Sequence, residues 1–371
     1  MTHPLRTVHT RSHPPRRALA RQVGVAAVLS AMLLALLPLS PAAAARPARA
    51  DRAADWEVTQ LERGRIRSVA YDVTDWGLTV DTYFALVAAG NRAKQARNVV
   101  RTVSKKVHKY VSYDGDFFAG QLAKTLLARR VAGLDPSIEA ANLNLRRKLT
   151  SLIAASGRVR DTGQSDLSNT LSQALSVLAL SRSGRLRPST VDFLARQQCN
   201  RGFFRLQVKG TDCRRGPADV DATAYAVQAL VRARWEGVDL PRRAVSAAAD
   251  WLVRAQHRNG SFSETPGGAV NTNSTGLAAQ ALTLVNRDRA AHRAGRWVAG
   301  LQLTRARAAG TPARRDLGAI AFSRADLRLA LEDGVTKAKR DAWRRSTSQA
   351  LLALAPRPLT TLGVPGRVGN S

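Results

Sequence analysis

The stretch that decides the fold runs Asp219-Val220-Asp221-Ala222-Thr223-Ala224-Tyr225-Ala226-Val227-Gln228-Ala229-Leu230. Two carboxylates and a Thr lead into a segment that is small and apolar on nearly every face. A helix of that kind has no side for solvent, so its composition predicts a buried helix. The pattern recurs. Asn273-Ser274-Thr275 leads into Gly276-Leu277-Ala278-Ala279-Gln280-Ala281-Leu282, and Asp166-Leu167-Ser168-Asn169-Thr170 into Leu171-Ser172-Gln173-Ala174-Leu175. Aligned on Thr170, Thr223 and Thr275, the copies stand 53 and 52 residues apart. Earlier copies are read at Thr82 and near Phe118, and a late one at Thr347. Self-similarity at this period signals one repeat architecture rather than unrelated domains.

A second helix alternates with the first. Phe193, Trp251 and Trp297 each precede a Gln (Gln198, Gln256, Gln302) by five residues. Two copies continue into a glycine turn, Gln198-Cys199-Asn200-Arg201-Gly202-Phe203 and Gln256-His257-Arg258-Asn259-Gly260-Ser261-Phe262. These helices carry Arg beside their apolar stripe, which predicts one wet face. Buried and half-wet helices alternating in hairpins make a closed double ring or an open solenoid. Very few runs alternate with period two, which argues against sheet.

The aromatic-x4-Gln-x3-Gly turn before a Thr-containing apolar helix resembles the repeats of squalene cyclases and protein prenyltransferase β-subunits. Segments 199–230 and 256–282 are also similar to the α-domain of cobalamin carriers such as intrinsic factor. The likeness covers 75–356 and is densest over 165–303. It implies an all-α fold, an (α/α)6 toroid over residues 71–356, with a cavity at one end of the inner helices and the ring completed around 314–356. Residues 46–70 then stand as an N-terminal extension and 357–371 as a C-terminal tail, both loose ends.

Residues 1–45 read as a signal peptide: five Arg and no acid, an apolar stretch from Val23 to Leu39, then Ala43-Ala44-Ala45. The apolar run is shorter than the roughly 20 residues a membrane span needs. The expectation is therefore a secreted protein. Removing the peptide lowers the net charge from +31 to +26. The excess is scattered Arg, which suits retention on an anionic cell-envelope polymer through a long-range field. No nucleic-acid-binding motif occurs. Cys199 and Cys213 are the only cysteines, and in an oxidising compartment such a pair reads as a disulfide.

In a toroid the residues just before the inner helices converge at one rim. Here they are Asp81, Asp116, Asp166, Asp219, Asp221, Asn271, Asn273 and Asp316. Helix capping accounts for Asp and Asn at such places, but Asp219 and Asp221 cannot both cap one helix. Asp219-Val220-Asp221-Ala222-Thr223 resembles the Asp-x-Asp-Asp-Thr motif of class II terpene cyclases, whose middle Asp donates the initiating proton. Carried over, that role falls on Asp221, yet Ala222 replaces the last carboxylate. Aromatics, which would stabilise a carbocation, are 5% of the chain. The prenyltransferase zinc set of Asp, Cys and His has no counterpart, since the cysteines pair with each other. His108, His257 and His292 read as surface or turn residues. No metal and no cofactor are expected.

Three functions remain. The first is a binding toroid taking a small molecule, peptide or glycan at the rim beside Asp219 and Asp221, with Tyr225, Phe203, Phe204, Asn271, Asn273, Asp166 and Asp81 around it. The second is a carbohydrate-active hydrolase pairing Asp221 with Asp81 or Asp166, or a lyase using Tyr225 and Asn273. The third is a class II cyclase-like enzyme that uses Asp221 as its acid.

Overall fold

The apolar repeats form helices that pack side by side into a ring. The computed structural model describes residues 41–208, 213, 214 and 216–363. In chain order the helices are α1 (Pro41–Thr59), α2 (Trp76–Ala89), α3 (Ala93–Lys105), α4 (His108–Val111), α5 (Ala119–Val131), α6 (Leu145–Ser151), α7 (Thr170–Ser181), α8 (Pro188–Arg196), α9 (Val220–Trp235), α10 (Ala244–Ala255), α11 (Thr272–Leu284), α12 (Asp288–Ala299), α13 (Arg305–Ala308), α14 (Arg324–Asp333) and α15 (Arg340–Leu354). Three antiparallel hairpins of two-residue strands are the only sheets among the described residues. Of the signal peptide, residues 1–40 lie outside those described. No described helix is long and apolar enough to cross a membrane.

Helices α2, α5, α7, α9, α11 and α15 form the inner ring: each packs on the next, and α15 returns to α2. Their Ala, Leu and Val side chains make one continuous core. A hydroxyl or amide on each of five inner helices accepts the backbone N–H of the loop that leads into it. The pairs are Thr79 with Ile66 (3.0 Å), Gln173 with Val159, Thr223 with Phe204, Thr275 with Phe262 and Thr347 with Ile320 (each 2.9 Å). This corrects two repeat anchors. Thr79, not Thr82, opens the α2 copy, and Gln173, not Thr170, is the counterpart of Thr223; Thr170 instead donates to the Arg205 carbonyl at 2.6 Å.

The spaced Gln residues hold the outer ring together. The Gln198 amide donates to the carbonyls of Gly202 and Ala244, Gln256 to those of Gly260 and Ala290, and Gln302 to those of Gly318 and Arg49. Each Gln thus ties its own turn to the next outer helix, and in the third case that helix is α1. The glycines repeat the relation. A Cβ on Gly202, Gly260 or Gly318 would lie 2.2, 2.4 or 2.1 Å from the carbonyl of Ala247, Arg293 or Arg52. The outer ring is therefore α3, α6, α8, α10, α12 and α1.

The described parts of both flanks are packed rather than loose. The N-terminal segment supplies the sixth outer helix, with Ala50, Ala53, Ala54, Trp56 and Glu57 buried. Trp56 donates to Asp316 at 2.9 Å, and Asp316 also binds Arg340, so this candidate rim carboxylate is a structural tie. At the other end, residues 357–362 fill the ring where the inner helices finish. The Leu359 N–H donates to Gln228, Gln280 donates to the Arg357 carbonyl and Arg182 to the Leu359 carbonyl, at 2.8, 2.7 and 3.0 Å. Leu359 and Leu362 are buried. These atoms satisfy polar groups that the ring would otherwise leave buried and unpaired.

Candidate functional site

With one mouth filled by the chain's own C-terminal segment, the other is formed by the N-terminal ends of the inner helices. Asp75, Asn169, Asp219 and Asn271 cap α2, α7, α9 and α11, each accepting a backbone N–H three residues on. Asp219 accepts from Ala222 at 2.7 Å. Capping therefore consumes Asp219 and leaves Asp221, two residues into α9, free of that duty. Asn273 occupies the same place on the neighbouring α11.

These two side chains share a property. Asp221 Oδ1 and Asn273 Oδ1 are both cut off from solvent and have no hydrogen-bond partner. A buried acceptor without a donor costs about 1–3 kcal/mol, and here two stand on adjacent inner helices. Burial pushes the Asp221 carboxyl up to about 7, with Asp219 and Glu264 adding to the rise and the Ser274 hydroxyl opposing it. Asp219 is pushed to about 6, again mainly by burial.

The next level down the mouth is set by residues six beyond the caps Asp75, Phe118 and Asp219: Asp81, Lys124 and Tyr225. Lys124 Nζ pairs with Asp81 at 2.6 Å and donates to the Gly77 carbonyl at 3.0 Å. Burial would lower the Lys124 pKa, but the Asp81 carboxylate outweighs it, so the ammonium is held above its ordinary value. Tyr225 and Tyr110 are pushed up by burial, so both stay phenols at neutral pH. Lys124 and Tyr110 were missed in the sequence. Lys124 had a signal: it is the cation in the first half of its inner helix, six residues beyond the cap position, at the level of Asp81 and Tyr225.

The remaining candidates go elsewhere. Asp166 is clasped by Arg158 and Arg160 at 2.8 and 3.0 Å and accepts the N–H groups of Asp161 and Ser168, ordering the loop before α7. Asp116 accepts from the Thr162 hydroxyl. Phe204 is wholly buried, and Phe203 packs on Trp251 with ring centroids 5.7 Å apart, so both belong to the core. The segment carrying them turns inward because Cys199–Cys213 is a disulfide, Cα–Cα 5.6 Å, and the Phe204 backbone is bonded to Asp219 and Thr223. No cluster of His, Cys, Asp or Glu among the described residues could hold a metal ion.

A family model, the prenyltransferase alpha-alpha toroid domain, matches residues 76–367. The chain belongs to that family. The toroid of a type II terpene cyclase, MstE from Scytonema, in complex with its substrate geranylgeranyl dihydroxybenzoate, is similar at 14% identity. The match covers 85% of this chain and 99% of that one with a TM-score of 0.57. A protein from Actinoplanes is similar at 16% identity, covering 84% and 99%, TM-score 0.55. A possible member of the GH105 family from Salmonella enterica follows at 11% identity, covering 82% and 92%, TM-score 0.53. At these identities the likeness shows the toroid alone. No curated protein matches the chain.

Proposed function

We propose that this toroid is an exported binding protein that takes a hydroxyl-rich ligand of the carbohydrate class at the mouth beside Asp221. The observation that carries the reading is the pair of buried, unpartnered acceptors, Asp221 Oδ1 and Asn273 Oδ1. Once the groups that shield them turn aside, two adjacent sugar hydroxyls would donate to them, while the Tyr225 and Tyr110 phenols and the Lys124 ammonium offer donors further in. The Asp219 and Asn271 caps hold the two helix ends in register.

Binding is favoured over turnover because Asp81 and Asp166, the two carboxylates that would serve Asp221 as base in the hydrolase reading, are held in ion pairs, which leaves only Glu264 near it besides the cap Asp219. Asp221, poised near neutrality, has the protonation behaviour of a general acid, which supports a carbohydrate-active enzyme as the second reading. The partners which that chemistry would need are engaged. Asp81 is paired with Lys124 and Asp166 with two Arg residues, while Lys124 and Tyr225 keep their protons. The cyclase reading is weaker, since a fixed ion pair lies where an aromatic wall would have to stabilise a carbocation.

The test is a calorimetric titration of the chain lacking residues 1–45 with a panel of neutral oligosaccharides and with geranylgeranyl diphosphate. The expected result is oligosaccharide binding that weakens at least tenfold in Asp221→Ala and in Asn273→Ala. Binding of the isoprenoid alone, or hydrolysis of the oligosaccharide lost in Asp221→Asn, would overturn it.

A further inference from the structure

The positive charge is not spread evenly over the outer wall, and its grooves differ in kind. One, lined by Arg201, Arg243 and Arg254, contains Asp250, which pairs with Arg287. Another, of about 510 Å³, sets Arg296, Arg324 and Arg328 over an apolar floor of Trp297, Leu327 and Leu331. A third, of about 880 Å³, lies between the start of α6 and the turn that joins α7 to α8. Its lining includes Arg146, Arg147, Arg185 and Arg187 with the hydroxyls of Thr150 and Ser151, and no carboxylate.

The backbone builds this third groove. Arg146 of α6 donates to the Ser183 carbonyl at 3.2 Å and Arg130 of α5 to the Arg182 carbonyl at 3.1 Å, which fixes the turn against both helices. Asn144 caps α6 through the Arg147 N–H. Arg147, Arg185 and Arg187 are exposed, and no described acidic residue pairs with any of them. Three unmatched guanidinium groups in one groove repel one another, and an anion placed among them removes that repulsion. The planar fork of Arg fits phosphate oxygens two at a time. A groove of this volume is larger than one phosphate requires and suits several linked units.

We infer that the groove between 144–151 and 184–187 is a docking site for an anionic phosphodiester polymer. It lies at the end of the ring filled by residues 357–362, opposite the mouth that holds Asp221, so a docked polymer leaves that mouth open. The field of the whole molecule brings the polymer in, and the groove holds it.

The test uses the chain lacking residues 1–45 and a synthetic glycerol-phosphate oligomer at 0.15 M salt, followed by calorimetry. Arg147→Glu/Arg185→Glu/Arg187→Glu is compared with Arg258→Glu/Arg289→Glu/Arg305→Glu, which changes the net charge equally at exposed sites outside the groove. A loss of tenfold or more in the first and less than threefold in the second is the expected result. Equal losses would show that net charge alone attracts the polymer and would overturn the site, as would no binding by the parent. Tighter binding of polygalacturonate than of the phosphate oligomer would overturn the phosphodiester assignment. If the groove variant loses its helical circular dichroism, the neutral changes Arg185→Gln and Arg187→Gln are measured instead, each expected to weaken binding at least threefold; unchanged affinity in both would overturn the site.

Discussion

Replacing Asp221 by Asn keeps the shape of the side chain and removes its titration. The carboxyl rises from its ordinary 3.8 to about 7 on folding because it is buried, beside Asp219 and Glu264. A raised acid stabilises the fold fully below pH 3.8 and loses that contribution as pH climbs through 7. Three pH units at 1.36 kcal/mol each set an upper bound of about 4 kcal/mol on the loss. The Asn variant does not share it. Urea midpoints measured from pH 4 to pH 8, with the disulfide intact, should show two proteins of nearly equal stability at pH 4. The variant should pull ahead as pH rises, by up to about 4 kcal/mol at pH 8. Groups common to both, such as Glu57, largely cancel in the difference. A gap that stays constant from pH 4 to pH 8 would refute the claim that burial, outweighing the Ser274 hydroxyl, raises the Asp221 carboxyl.

Four further outcomes follow from the same contacts. Thr223→Val strips the buried Phe204 N–H of its acceptor and should cost about 1–3 kcal/mol in urea unfolding. Gly260, at φ +95 with the Arg293 carbonyl in the way, should lose about 3 kcal/mol on change to Ala; Gly267, at φ +81 with open space around it, should lose about 1 kcal/mol. Leu359→Ala opens the plug at the closed end and should cost about 2–5 kcal/mol, whereas a loose tail would show no change. Glu57 is buried against Ser348 and Thr82 and rises from 4.5 to about 8 on folding, chiefly through burial. The melting temperature of Glu57→Gln should therefore gain on the parent between pH 4.5 and pH 8.

Much of the ring was legible because its signals are local. Small apolar helices, a Gln five residues after an aromatic, and a Gly turn recur within single segments, and each proved to be one contact repeated. Local ambiguity displaced two anchors. Thr79 and Thr82 lie on one helix, as do Thr170 and Gln173, and only the distance from the cap Asp or Asn decides which of them meets the loop. What the chain joins from its two ends was not legible. Helix α1 spans the candidate cleavage site after Ala45 and has no repeat signature, because its partners Gln302, Gly318 and Asp316 come some 250 residues later. The 357–362 plug likewise carries no pattern of its own; its role appears only once Gln228 and Gln280 are seen to need partners. At the mouth, the caps were readable from residue type, and with Asp219 as the cap, Asp221 stood apart. The engagement of Asp81 and Asp166 was not readable, since ion pairing depends on which helices are neighbours.

The central claim is that Asp221 and Asn273 together receive donors from a hydroxyl-rich ligand. A double-mutant cycle tests it most directly: Asp221→Ala, Asn273→Ala and the double variant, each titrated calorimetrically with the tightest-binding oligosaccharide. If both acceptors hold one ligand, the effects should be non-additive, with a coupling of about 1 kcal/mol or more. Additive effects, wild-type affinity in the double variant, or no oligosaccharide binding by the parent would contradict the account.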